Sequence, residues 1–292
     1  MSPEGFGEPQ RGAPRNRPTW GCQGLTVRHG ATVGCGDVTF EVAAGTVAAV
    51  VGGDGAGKTS LLRALAGTVR PAAGTVRRPD QRRLGYVSAG PGVWTDLTVD
   101  ENLRFTGRAY GLDGAGLDRR IGELLERTGL AGARDRLAGR LSGGMRQKLA
   151  LAMAVAHEPD LLILDEPTTG VDPVSRAELW RLLAAAAAGG AAVVVATTYL
   201  DEAERAATVL VLDRGRELLA GTPDELLAAT PGLVVEGTDR PRGVPSWRRG
   251  ARWRAWSPDG SIPAGSTPAT LDLEDTVIIA QLAQDERRRG AA

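Results

Sequence analysis

The 292-residue sequence contains only two cysteines, Cys22 and Cys35. Two thiols build neither a disulfide framework nor a metal-ligand cluster, so a reducing compartment is the default expectation. No apolar run reaches the ~18 residues that a membrane helix needs, and the amino terminus lacks the apolar core of a signal peptide. The chain is therefore not expected to cross a membrane by itself, although it could dock on a protein that does. An excess of charge of either sign is also missing, because 35 basic residues balance 35 acidic ones. That argues against a dedicated nucleic-acid binder, which carries a basic excess. No internal repeat covers the chain. Its length suffices for one large core and a small second unit.

What is plentiful is glycine, and one group of glycines has a definite pattern. Gly52-Gly53-Asp54-Gly55-Ala56-Gly57-Lys58-Thr59-Ser60 follows an apolar, β-branched run at residues 47–51 and precedes a helical run at 61–66. Glycines let the backbone turn tightly, so that several N–H groups point inward at an anion. The helix that follows turns its positive end toward the phosphates. Lys58 is placed to reach β- and γ-phosphates, and the Thr59 hydroxyl to ligate Mg²⁺.

Along the chain, residues 1–19 are proline- and glycine-rich and are predicted to be a flexible tail. Residues 25–27, 38–42, 47–51, 84–87, 161–164, 192–196 and 209–212 read as strands. Pro71 and Gly74 mark a turn. Helical spacing covers 97–110, 117–128, 145–156 with Ser142 as N-cap, 173–187, 201–206 and 223–229. Alternating strands and helices predict an α/β core with a nearly all-apolar central strand covered on both faces. The segment around residues 90–157 is expected to be a small helical subdomain. From residue 231 the character changes: Trp247, Trp253 and Trp256 are interleaved with Arg242, Arg248, Arg249, Arg252 and Arg254. Such interleaving suits either a nucleic-acid platform or a small sheet of paired aromatic and basic side chains. Residues 271–282 have near-helical spacing and are expected to pack back on the body.

Asp165 ends an apolar strand, at the sheet edge where open α/β folds bind ligands, and would hold Mg²⁺. Adjacent Glu166 would act as the base for an attacking water. Together with the phosphate loop, this pair points to phosphoryl chemistry.

Leu141-Ser142-Gly143-Gly144-Met145-Arg146-Gln147 resembles the signature segment of ATP-binding-cassette ATPases. The resemblance covers residues 21–230. It implies a P-loop NTPase core of the ATP-binding-cassette type with a helical subdomain, comprising residues 20–230, and a small C-terminal extension at 231–292. It also implies ATP and Mg²⁺ as cofactors. In that family Ser142, Gly143, Gly144 and Gln147 would serve the γ-phosphate site of an opposite cassette, so a homodimer or heterodimer with a second cassette is expected. Gly170-Val171-Asp172 resembles the D-loop that bridges the two sites. Gly85-Tyr86-Val87, followed by residues 96–103, resembles export-type cassettes that partner ABC-2-type permeases. A separate integral membrane permease is the implied partner, no nucleic acid is expected, and the implied location is cytoplasmic and peripheral on the inner face of the membrane.

Three positions depart from the family pattern. The adenine-stacking aromatic falls at His29. The Q-loop glutamine falls at Ala89, which has no polar side-chain group. The switch histidine falls at Thr198, whose hydroxyl is shorter and uncharged. Binding and dimer closure are expected to survive, with slow hydrolysis at this chain's own site. The leading expectation is an exporter subunit, and the alternative is a soluble or regulatory cassette protein with weak hydrolysis acting without a permease. Val93 and Trp94, beside Ala89, are candidates either for a permease contact or for subdomain core.

Overall fold

The computed structural model describes residues 18–90 and 92–290, so residues 1–17 of the expected tail lie outside the described residues. Thr19–His29 (β1) and Thr32–Ala43 (β2) form a long antiparallel hairpin. Residues 25–27 and 38–42, the parts predicted by pattern, lie inside these longer strands. Register shifts between Cys22 and Arg28 interrupt the ladder, which hides a regular alternation from view in the sequence. Val47–Val51 (β3) is buried throughout and runs through the glycine loop into Lys58–Leu65 (α1). Ala73–Arg77 (β4) pairs with β1. Gly74, expected in a turn, instead lies in this strand at φ +81°, where a Cβ would collide with the Gly24 carbonyl oxygen. Close approach of the β1 backbone is what requires glycine here.

Leu84–Val87 (β5) leads through a loop to three helices: Val99–Ala109 (α2), Gly114–Thr128 (α3) and Gly143–Val155 (α4). α2 begins at Val99, two residues later than its periodicity suggests, because Thr98 caps it. The Thr98 hydroxyl accepts from the Glu101 N–H at 3.2 Å, and the Glu101 carboxylate accepts from the Thr98 N–H at 2.7 Å. Buried Asn102 then fastens the preceding turn to α2. Its amide donates to the Trp94, Leu97 and Thr98 carbonyls and its carbonyl accepts from the Trp94 N–H.

The chain returns through Leu161–Asp165 (β6), Pro173–Ala188 (α5), Ala192–Thr197 (β7), Leu200–Ala203 (α6), Thr208–Asp213 (β8), Arg216–Gly221 (β9) and Pro223–Ala228 (α7). The helical turn at α6 stops at Ala203, short of the predicted 206. The central sheet has the order β5-β6-β7-β3-β8-β9, parallel except for β9. Successive side chains of these strands point to opposite faces. On one face Ala49, Leu162, Leu164, Val193 and Val195 pack with Leu151 of α4 and Leu179 and Leu183 of α5. On the other, Ala48, Val50, Ile163 and Val194 pack with Leu61 and Leu62 of α1 and with the β1–β2 hairpin. Burial on both faces explains the near-continuous apolar strands. α4 also turns Leu149, Ala152 and Met153 toward Leu103, Ile121 and Leu124, joining the three-helix cluster to the sheet.

Beyond residue 231, Leu233–Gly237 (β10), Ser246–Arg249 (β11), Arg252–Ser257 (β12) and Ser266–Pro268 (β13) form a four-stranded antiparallel sheet in the order β11-β12-β10-β13, backed by Leu273–Gly290 (α8). Trp256 and Val234 pack on Ile279, and Arg249 and Arg254 pair with Asp272 and Asp275 at the start of α8. Arg252 pairs with Glu236 at 2.6 Å. Leu273 and Val277 enter the core of the main sheet, so α8 lies against the body as its spacing suggests.

Candidate functional site

The glycine loop is shaped by what crowds it. A Cβ at Gly52 would lie 2.5 Å from the Leu212 carbonyl oxygen, and one at Gly57 would lie 2.5 Å from the Gly34 carbonyl oxygen. Gly57 is also the N-cap of α1, at φ +104°. Gly53, Asp54 and Gly55 are exposed at the tip, and Ala56 is buried beneath it. Lys58, the first residue of α1, is 5% exposed, and its Nζ turns back into the loop. It donates to the Gly52 and Gly53 carbonyls at 2.7 and 3.2 Å and stands 3.2 Å from Glu166 Oε1. The lysine thus pairs with a carboxylate that follows β6, two strands away from β3 across the sheet.

Asp165 ends β6 and Glu166 follows it, but they face different surroundings. Asp165 is buried, and its Oδ1 has no hydrogen-bond partner. Burial pushes its carboxyl above the usual range and neighbouring Glu166 adds to the rise, while the Thr59 side chain and, more weakly, Lys58 pull it down. An orphaned buried carboxylate oxygen beside a threonine hydroxyl fits a hard, oxygen-seeking cation such as Mg²⁺. Glu166 is partly exposed at φ +51°, a left-handed conformation uncommon outside glycine. Its N–H donates to the Ala196 carbonyl at 3.0 Å, and its Oε2 accepts from the Thr169 hydroxyl at 3.3 Å.

His29, at the end of β1, is exposed and its Nε2 lies 2.9 Å from Ser60 Oγ. Gly34 makes room for this pair, since a Cβ there would fall 2.5 Å from Ser60 Oγ. Thr198 follows β7 with an exposed side chain that makes no hydrogen bond among the described residues. Ala89 is exposed in the loop after β5. Trp94 is 44% exposed and stacks edge-on with Phe105, itself 53% exposed, at 4.4 Å between ring centres. Of the two sequence expectations for Trp94, subdomain core and surface contact, the exposure favours the surface.

The second candidate group gathers at the start of α4. Ser142 caps this helix by accepting from the Met145 N–H at 3.3 Å. Gly143 is exposed, whereas Gly144 is buried against α5: a Cβ would fall 2.6 Å from Ser175 Oγ. Gln147 is buried, with its Oε1 unpartnered. Asp172 caps α5, accepting from the N–H groups of Val174 and Ser175 at 3.1 and 3.0 Å. The structure thus brings the phosphate loop, His29, Asp165 and Glu166 into one group and Ser142, Gly143, Gly144, Gln147 and Asp172 into another. Among the described residues no hydrogen bond or ion pair joins Ser142, Gly143, Gly144 or Gln147 to the phosphate loop.

Arg176 escaped the sequence reading, and Glu202 was legible only as part of Asp201-Glu202-Ala203-Glu204, which resembles the family segment following the switch position, with no role attached. Glu202 is fully buried and accepts from the hydroxyls of Thr168 and Thr197, and Arg176 faces it from α5. An arginine on a helix between Ser175 and Ala177 is too common a feature to single out.

A parallel sheet with a glycine loop between β3 and α1, an acidic pair at the end of β6 and a three-helix insertion defines a P-loop nucleotide-triphosphatase of the cassette type. The family model described as ABC transporter matches residues 35–169. Probable multidrug ABC transporter ATP-binding protein YbhF of Escherichia coli K12 is 42% identical over 243 residues, covering 80% of this chain and 42% of that one. Nod factor export ATP-binding protein I of Cupriavidus pinatubonensis is 38% identical over 219 residues, covering 71% of this chain and 67% of that one. A solved structure of an ATP-binding subunit of an ABC transporter superposes with a TM-score of 0.66 at 30% identity, covering 72% of this chain and 92% of that one. The chain belongs to the ABC transporter family, as an ATP-binding cassette subunit homologous to multidrug and Nod factor exporters. It spans less than half the length of YbhF.

Proposed function

We propose that this chain is the ATP-hydrolysing, energy-coupling subunit of an exporter, paired with a separate ABC-2-type permease and acting on the cytoplasmic face of the membrane. The observation that carries this reading is the contact between Lys58 and Glu166 beside the unpartnered Oδ1 of buried Asp165. Backbone N–H groups of the loop would hold the phosphates of ATP, with Thr59 and Asp165 holding Mg²⁺. The metal would offset phosphate charge. Lys58 would leave Glu166 for the phosphates, and the freed carboxylate would then accept a proton from water. His29 would stack on the base. Ser142, Gly143, Gly144 and Gln147, with Asp172 at the seam, would complete the site of a second cassette.

The same site lacks two groups. Ala89 offers no polar atom and Thr198 offers only a short hydroxyl, so this chain's own turnover would be slow. Either a homodimer hydrolyses modestly, or a second, fully equipped cassette carries most of the hydrolysis. No helix among the described residues is long and apolar enough to cross a membrane. In this reading the permease is a separate chain, seated on the exposed Trp94–Phe105 pair. The four-stranded sheet and α8, residues 231–292, would form an extension fastened to the cassette.

The losses at Ala89 and Thr198 also support a second reading, a regulatory cassette protein acting without a permease. Capture of a tagged copy from gently solubilised membranes separates the two. A multi-span protein recovered with two copies of this chain, or with one copy and a second cassette, is the expected result. Recovery in the soluble fraction alone would overturn the exporter reading.

A further inference from the structure

We infer that Glu202 and Arg176 are a positioning pair, through which α5 holds the two loops bearing Glu166 and Thr198. This rests on the hydrolytic reading proposed above. Glu202 has no exposed surface, yet it is ionisable and lies on the short helix after β7. Its Oε2 accepts from Thr197 Oγ1 at 2.7 Å and from Thr168 Oγ1 at 3.0 Å. Thr168 follows Glu166 by two residues and Thr197 directly precedes Thr198, so one carboxylate oxygen ties together the loops leaving β6 and β7. Thr197 Oγ1 in turn accepts from the Tyr199 N–H at 3.0 Å. The Arg176 guanidinium lies over the Tyr199 ring at 4.3 Å. Thr198 is exposed, but both of its chain neighbours are held.

The other side of the pair is less settled. Glu202 Oε1 and Arg176 Nε face each other at 3.5 Å, and both are buried with no hydrogen-bond partner. Buried charged atoms left in this state carry a penalty that a shorter contact would relieve. Arg176 adjoins Ser175, whose side chain meets Gly144, and its helix is capped by Asp172. A contact chain therefore runs from the signature segment through α5 to Glu202 and on to the loops of Glu166 and Thr198. A small approach of α5 would close the Arg176–Glu202 hydrogen bond and fix both loops. A second cassette docked on Ser142 and Asp172 would press on the helix that makes this approach.

The test uses the full chain in its transporter with three variants: Glu202→Gln, Arg176→Lys, and the double Arg176→Met/Glu202→Met. The amide introduced by Glu202→Gln keeps an acceptor for the two threonines but loses the charge facing Arg176. Expected for each single variant is ATP affinity, measured with a fluorescent analogue, within about twofold of wild type, and kcat lower by about 10- to 100-fold. The double variant removes both charges at similar volume, so it should regain wild-type thermal stability while kcat stays low. A purely structural staple predicts instead that kcat recovers with stability. Hydrogen exchange, read on the same proteins without turnover, should be faster at the Tyr199 and Glu166 amides in Glu202→Gln. Unchanged kcat in the single variants, recovered kcat in the double variant, or unchanged exchange would each overturn the pair's role. A wild-type protein that hydrolyses nothing would sink the hydrolytic reading instead, and the exchange result would then decide the pair alone.

Discussion

Thr198→His tests most directly the proposal that hydrolysis at this chain's own site is slow. Thr198→His places the ring on a backbone held at Thr197 and Tyr199, in an exposed position where the threonine side chain makes no hydrogen bond among the described residues. Nothing packed is lost, so stability should change by less than about 0.5 kcal/mol, as for ordinary surface substitutions. One well-aimed donor at the reacting phosphate contributes about 3 kcal/mol to the transition state, or a rate factor of about 100. Position 89 would still offer no polar side chain, and a group there would act on the same phosphate and water, so the two deficits do not simply add. The expected gain from Thr198→His alone is therefore about 10- to 100-fold in kcat, with KM little changed. Steady-state phosphate release by the assembled transporter, across a range of ATP concentrations, measures it. The gain should vanish in a Glu166→Gln background, because the proposed mechanism gives the proton of the attacking water to Glu166. A kcat within about twofold of wild type would refute the reasoning, for it would mean that the donor lost at Thr198 does not limit turnover.

Gly57→Ala should lower stability by about 1–3 kcal/mol and abolish nucleotide binding, since Gly57 sits at φ +104° and an added methyl would meet the Gly34 carbonyl at 2.5 Å; thermal melts with and without Mg-ATP check both effects. Trp94→Ala should leave the melting temperature nearly unchanged, because the ring is already 44% exposed, while releasing the permease in copurification; loss of soluble protein would count against the surface reading. His157 stacks on Tyr110 at 3.6 Å, and burial holds its pKa below the usual histidine value. The fold thus favours the neutral ring: stability is full above the unfolded value near 6.5 and declines as pH falls from there toward the lower folded value. His157→Phe keeps a ring in the stack and should flatten that part of the melting-temperature profile below pH ~6.5. An unchanged profile would remove His157 from the account.

Much of the candidate site was legible in the chain because its chemistry is local. A tight anion loop needs glycine at set offsets from a lysine, and a capped helix start needs a residue such as Ser142 in place. The buried strands β3, β6 and β7 were legible for a related reason: a strand covered on both faces is apolar along nearly its whole length, here up to the polar ends Asp165 and Thr197. Element edges were less so. β1 and β2 run well past their apolar centres because register shifts break the alternation, and β4 was hidden by a glycine that reads as a turn.

The glycine loop, the acidic pair, the signature helix and the order of strands and helices are properties of the chain alone, because each depends on neighbours a few residues away. Which of these meet is a matter of folding. Parallel pairing of β3 with β7 and of β7 with β6 brings Lys58 to Glu166. The same pairing places the exits of β6 and β7 side by side, where Glu202 can accept from both Thr168 and Thr197. Folding also turned Trp94 outward and Trp256 inward, although both are tryptophans in arginine- or glycine-rich surroundings. The physical reason is that burial and partnership depend on which surfaces close over a residue, and those surfaces come from segments far away in the chain.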